Sequence, residues 1–269
     1  MASRTKQKEE ARARRLAEEQ ARAERARRQR RMQMIGGVVL AAIVVVVAAI
    51  VISSGSAKKE TGLQKAGTQQ SNATMASINQ LLNGIPQSGN VLGNPKAPVT
   101  MTYYGDYECP VCQAFTLQGG FSQLVSNDVR SGKVKVEYRA FCTATCGSPD
   151  PGVFNTQQVA GLAAGKQNLF WQYTELFYHE QGTEDSGYVT ESYLQGLAKQ
   201  ITALKFATWM SDRNDPTLTA QVGSDQASAR QLGVSGTPTL IFAGPKGQAA
   251  ASEAVPTYAQ LESVIKQVT

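Results

Sequence analysis

Read from the amino end, the apolar positions change their period several times. Between residues 6 and 31 the only large apolar residue is Leu16, set in a run of Ala, Glu and Arg that has no face to bury. From Met32 to Ala57 no charge interrupts the chain, and residues 35–52 are almost wholly aliphatic. As a helix these would rise about 27 Å, close to the roughly 30 Å of a bilayer's hydrocarbon. Residues 53–90 are then rich in Ser, Gly, Gln, Asn and Thr, with one short apolar patch at 78–82. That composition predicts a flexible tether, with the patch as a short amphipathic helix leaning on the domain.

Beyond residue 90 the pattern becomes that of a folded domain. VTMTYY at 99–104 is β-branched and aromatic and predicts a buried strand. CPVCQAFTLQGGFSQLVSND predicts a helix with Pro110 in its first turn and a kink at Gly119 and Gly120. VKVEYRAF at 134–141 alternates and predicts a second strand, parallel to the first across the helix. Residues 155–232 are mainly helical: Leu169, Phe170, Tyr173, Leu176 and Phe177 recur at helical spacing, as do Leu194, Leu197 and Ile201. A strand at 239–242, a hairpin turn at 244–247 and a helix over 258–268 close the chain. The order βαβ, helices, ββα is an α/β core with a helical insertion, placed at about 152–215.

Charge sharpens the division. Residues 1–34 hold twelve Lys/Arg against five Asp/Glu, a balance of +7, which leaves −1 for the rest of a chain whose net charge is +6. The basicity therefore belongs to the tail, and the folded region has no footprint for nucleic acid. Six arginines lie between Arg22 and Arg31, so the apolar run at 35–53 is expected to be a single transmembrane anchor with residues 1–34 in the cytoplasm. A cleaved signal peptide is the competing reading, but its apolar region and charged leader should both be shorter. The expected organisation is tail 1–34, anchor 35–53, linker 54–88 and a folded domain 89–269 on the outer side of a cell membrane.

An exported location permits the four cysteines to form disulfides. Cys109 and Cys112 sit where a strand hands over to a helix, and unpaired N–H groups and the helix dipole there favour negative charge. Cys109 is therefore expected to be an accessible, acidified nucleophile and Cys112 its buried resolving partner. Cys142 directly follows the second strand. A Cys142–Cys146 disulfide would lie at the same sheet edge, provided CTATCGSPDP turns sharply, since an extended strand separates such residues by about 13 Å. Such a bridge is either a small staple or a second redox pair. Thr237-Pro238 is compatible with a cis-proline turn or with an ordinary trans proline opening an edge strand. The single histidine, His179, falls on the aromatic helix and is read as structural or surface. Asp106 and Glu108 are read as solvated loop residues or proton relays.

The stretch from about residue 91 to the C-terminus resembles the DsbA-like thiol–disulfide oxidoreductases, in the membrane-tethered bacterial branch. LGNPKAPVTMTYYGDYECPVCQAF is similar to that family's opening strand and active-site helix. NLFWQYTELFYHEQ is similar to the aromatic helix of its inserted domain, and LGVSGTPTLIF to its cis-proline loop and strand. The resemblance implies a thioredoxin-like fold with an inserted helical domain, Cys109 as nucleophile, Cys112 as resolving cysteine and Thr237-Pro238 as a cis turn contacting the substrate. It implies no cofactor and no metal. Its substrates would be exported cysteine-containing proteins, with a membrane or soluble redox partner resetting the site. Two positions depart from the pattern. Val111 stands where strong oxidases place histidine, and Tyr103 where some members bury an acidic residue. Oxidation is the expected direction, with reduction or isomerisation using the same residues. A different class, a four-cysteine metal-binding or metal-delivery module, is opposed by the 29 residues between Cys112 and Cys142.

Overall fold

A computed structural model describes residues 63–148, 150 and 152–269. The expected tail and the anchor at 35–53 lie outside the described residues, as do Pro149 and Pro151. Among the described residues no helix is long and apolar enough to cross a membrane.

The first helix, α1 (Gln69–Leu82), occupies ground expected to be flexible tether. Ser71, Met75, Ile78 and Leu82 form a buried stripe at helical spacing, and this face packs on the aromatic helix described below. Thr68 caps its start, accepting from Ser71 N, while the Arg130 guanidinium donates to Leu81 O and Asn83 O at its end. The folded unit therefore begins before residue 89.

A six-stranded sheet follows, built from β1 (Gln87–Ser88), β2 (Val91–Leu92), β3 (Val99–Gly105), β4 (Val134–Ala140), β5 (Thr239–Gly244) and β6 (Gly247–Ala250), in the order β1-β2-β4-β3-β5-β6. β3 and β4 are parallel and every other pair is antiparallel. Side chains alternate across the sheet. Val99, Met101 and Tyr103 of β3, Val134, Val136 and Tyr138 of β4, and Leu240 and Phe242 of β5 enter the large core. Tyr104, Phe141 and Ile241 face a smaller cluster on the other side with Ala229.

Between β3 and β4 the chain forms α2 (Pro110–Leu117), then α3 (Phe121–Leu124), which runs into a π turn at Val125–Val129. The kink expected at Gly119 and Gly120 is a full break. A Cβ on Gly120 would stand 2.5 Å from Tyr258 N, and Gly120 N donates to Pro256 O, so the start of the last helix wedges the two apart. Between β4 and β5 come α4 (Val153–Gly165), α5 (Phe170–Glu180), α6 (Glu191–Gln200), α7 (Phe206–Asp212) and α8 (Pro216–Gln231). The aromatic helix α5 buries Phe170, Trp171, Tyr173, Phe177 and Tyr178 and packs against both α1 and α2. The closing helix α9 (Tyr258–Val268) starts with a capping box, Thr257 and Gln260, and covers β5 and β6.

Candidate active site

Strand pairing delivers three loops to one edge of the sheet. In the parallel pair Gly105 stands opposite Ala140, so Asp106 and Phe141 leave the sheet side by side. β5 runs the other way, with Thr239 opposite Tyr104, which returns Thr237-Pro238 to that same edge. The carboxyl ends of parallel strands are where open α/β sheets place their chemistry.

Cys109 is the N-cap of α2, in extended conformation, and Pro110 occupies the first helical position without needing an N–H partner. The Cys109 Sγ accepts from Cys112 N at 3.4 Å and lies 3.3 Å from the Thr237 carbonyl oxygen. Its thiol is held down at about 7, first by a hydrogen bond from the Cys112 thiol and further by the Thr237 hydroxyl and the N–H groups of Cys112 and Val111, with burial opposing. Cys112 is fully buried, and burial pushes its thiol far up, Cys109 adding to the effect. Cys109 itself is only 5% exposed, less accessible than the sequence led one to expect; Val111, at 36%, marks the outward side of the motif. Thr237-Pro238 is a cis peptide.

Behind the cysteines lies a buried polar network. The Tyr103 hydroxyl is 3.4 Å from Cys112 O, 3.2 Å from Thr116 Oγ1 and 3.3 Å from the Tyr178 hydroxyl. Burial drives its phenol well above the ordinary range. At the place where some DsbA-like proteins bury a carboxylate, this chain keeps a group that stays protonated. Gln181 donates through Nε2 to both Tyr107 O and Cys109 O, at 2.6 and 3.1 Å, clamping the nucleophile loop from the end of α5.

Asp106 and Glu108 are not solvated loop residues, as one reading of the sequence held. Both are buried, at 0% and 2% exposed. Glu108 is pushed up to about 7, by burial first and then by the charges of Asp106, Asp185 and Glu184, against the pull of the Asp185 N–H. Asp106 accepts from Thr143 N, Thr145 N, Thr145 Oγ1 and Glu108 N. Through it the nucleophile loop is joined to the turn that carries the second cysteine pair.

That pair is bonded, Cys142 to Cys146, with 5.6 Å between Cα atoms. The sharp turn required is a 3-10 turn at Ala144–Gly147, and Thr143 Oγ1 reaches across it to Thr237 Oγ1. Because two of the four sulfurs are bonded to each other, the four thiolates of a metal module are not assembled here. His179 stands half-buried on α5, lining a separate groove of about 430 Å³ with Leu117, Arg130 and Glu175. Sequence reasoning missed Thr143 and Gln181 altogether. Their types are ordinary in loops, and only the fold brings them to the cysteines.

A helix-capping cysteine, a buried partner three residues on and a cis-proline turn facing the first sulfur define the thioredoxin class of site. The thioredoxin family model matches residues 87–267, and the chain belongs to that family. Disulfide bond formation protein D of Bacillus subtilis (strain 168) is 28% identical over 155 residues, 56% of this chain and 65% of that protein, so the chain spans just under two thirds of this relative's length. The crystal structure of oxidised BdbD from Bacillus subtilis superposes with a TM-score of 0.57 at 24% identity, covering 66% of this chain and 91% of that one. DsbA2 of Pseudomonas aeruginosa gives 0.54 at 20% identity, with 70% and 97% covered. The resemblance to DsbA-like proteins read from the sequence holds, and these structures share the α/β thioredoxin-like fold.

Proposed function

We propose that this chain is a thiol–disulfide oxidoreductase that introduces disulfides into exported proteins from a membrane anchor, with Cys109 as nucleophile and Cys112 as resolving cysteine. The observation that carries the reading is the asymmetry between the two sulfurs. One is acidified at a helix start beside Thr237, and the other is buried with its thiol pushed up.

In the oxidised state a client thiolate attacks Cys109 Sγ, breaking the Cys109–Cys112 bond and releasing Cys112, which takes up a proton. A second client thiolate then attacks the client sulfur of the mixed disulfide. Cys109 departs as a thiolate, the client gains a disulfide and the enzyme is left as the dithiol. The lowered pKa of Cys109 makes it the better leaving group, which favours transfer toward the client. A value of about 7 matches thioredoxin rather than the roughly 3.5 of the strongest oxidase, consistent with a valine at position 111 that has no side-chain donor. The direction proposed is oxidation, on the similarity to disulfide bond formation protein D, with the site reset by a membrane or soluble redox partner. The anchor rests on the charge-free run from Met32 to Ala57 and the arginines before it.

The test is oxidation of a reduced two-cysteine peptide by the oxidised protein. Cys112→Ser should accumulate mixed disulfides at Cys109, and protease added outside intact cells should digest the domain while it stays with the membrane fraction. Peptide that remains reduced, while an already oxidised peptide is reduced by the dithiol form, would make the protein a reductase with the same residues.

A further inference from the structure

The Asp106 carboxylate has four lone-pair positions and four donors fill them: Glu108 N at 3.2 Å, Thr143 N and Thr145 N at 2.9 Å each, and the Thr145 hydroxyl. Such a carboxylate, fully buried, fixes the backbone of the Cys142–Cys146 turn against the nucleophile loop. Gln157 Nε2, donating to Thr145 Oγ1 at 2.8 Å, fixes the far side of the turn from α4. With its N–H committed to Asp106, Thr143 has its hydroxyl left to act, and that hydroxyl meets Thr237 Oγ1.

Thr237 is the residue whose carbonyl oxygen lies 3.3 Å from Cys109 Sγ, and its side chain is among the groups that hold the Cys109 thiol down. A hydroxyl has one proton to give. If that proton points at a thiolate, the Thr237 oxygen must act as acceptor toward its other neighbour, and Thr143 is the donor in place. Two hydroxyls in series polarise one another, so the outer one strengthens the bond the inner one makes to a charge.

We propose that Thr143, held by Asp106, is a positioning residue for thiol–disulfide exchange: its hydroxyl donates to Thr237 Oγ1 and turns the Thr237 proton onto the Cys109 thiolate. The inference deepens the proposed function and rests on Cys109 being the nucleophile. It gives the Cys142–Cys146 turn a place in the reaction that is neither inert staple nor second redox pair. The turn carries the donor that orders the first pair's surroundings.

The experiment compares reduced full-length protein with Thr143→Val, which removes only the hydroxyl, and Thr143→Ser, which keeps it. The half-buried position should accept both. The readout is the rate of Cys109 alkylation by iodoacetamide across pH 5 to 9. Asp106, Glu108, Glu184 and Asp185, the carboxyls around this loop, are the same in all three proteins and cancel in the comparison. Thr143→Val should shift the midpoint upward by about half to one pH unit, a roughly three- to tenfold slower reaction at pH 6, and Thr143→Ser should restore it. A purely structural contact would lower the melting temperature and leave the midpoint in place. A Val profile superimposed on the unchanged protein, or equal shifts in Val and Ser, overturns the proposal. Failure of the unchanged protein to oxidise the peptide would instead sink the proposed function, while the alkylation series still decides the role of Thr143.

Discussion

The two cysteine pairs stand at one edge of one sheet and are joined through a single carboxylate, yet the fold treats them in opposite ways. Around Cys109 the backbone N–H of Cys112 is spent on a sulfur, at the positive end of a helix. In the Cys142–Cys146 turn the N–H groups of Thr143 and Thr145 go to Asp106, and that of Cys146 to Thr143 O. The first pair is buried and carries thiols of divided acidity; the second is bonded, with Cys146 exposed. The backbone donors divide along the same line, to a sulfur at the first pair and to a carboxylate and a carbonyl in the turn.

The largest effect expected from this contrast comes from removing each pair in turn. Cys109→Ala should cost at least about 10³-fold in peptide oxidation, since without Cys109 there is no Cys109–Cys112 disulfide to transfer. Cys142→Ala/Cys146→Ala should stay within about tenfold, because Asp106 still holds the turn. It should melt earlier by an amount at the low end of the usual 0–5 kcal/mol, the closed loop being short. Turnover by the double variant as poor as that of Cys109→Ala would erase the distinction.

A smaller effect should appear on the nucleophile side alone, as a function of pH. Glu108 has its folded-state value raised from 4.5 to about 7, so the folded state holds this proton more tightly than the unfolded one; the resulting stability is fully present below pH 4.5 and is lost as pH rises through 7. Chemical denaturation should show on the order of 2 kcal/mol less stability at pH 8 than at pH 5 from this group. Glu108→Gln should flatten that slope, and an unchanged slope would place the carboxyl in water. Smaller again, Val111→His should bring a positive donor to the sulfur. The alkylation midpoint should then fall by about one unit, a tenfold change in thiolate fraction at low pH, with a more oxidising potential. A midpoint that stays put would mean the residue before Cys112 does not face the thiolate.

Much of this arrangement was legible in the residues. The strand-to-helix handover at Cys109 and the parallel return that places Cys142 at the same edge follow local patterns that tertiary packing leaves intact; the cis Thr237-Pro238 turn came only with the family resemblance, since the residues by themselves leave cis and trans open. Three features were not legible, each for a physical reason. Helix α1 showed only as the short amphipathic patch at 78–82 leaning on the domain; its first two turns hid in a stretch rich in Ser, Asn and Gln, where Met75 is the one large apolar residue. Asp106 and Glu108 read as solvated because their burial depends on donors and cover from segments 37 and about 80 residues away. Gln181, 72 residues from Cys109, has no sequence signature for the carbonyl it clamps.

The sheet's outer margins carry a further consequence. Its terminal strands are two residues long at Gln87–Ser88 and four at Gly247–Ala250, and the longer one is mostly exposed. An edge this short offers few unpaired N–H and C=O groups in register. A protein proposed to receive unfolded chains at one rim of its sheet thus presents them with little template at the sides. On that proposal, clients held by a sulfur would let go without having zipped onto the sheet, and the same brevity would keep crowded copies of the protein from pairing edge to edge.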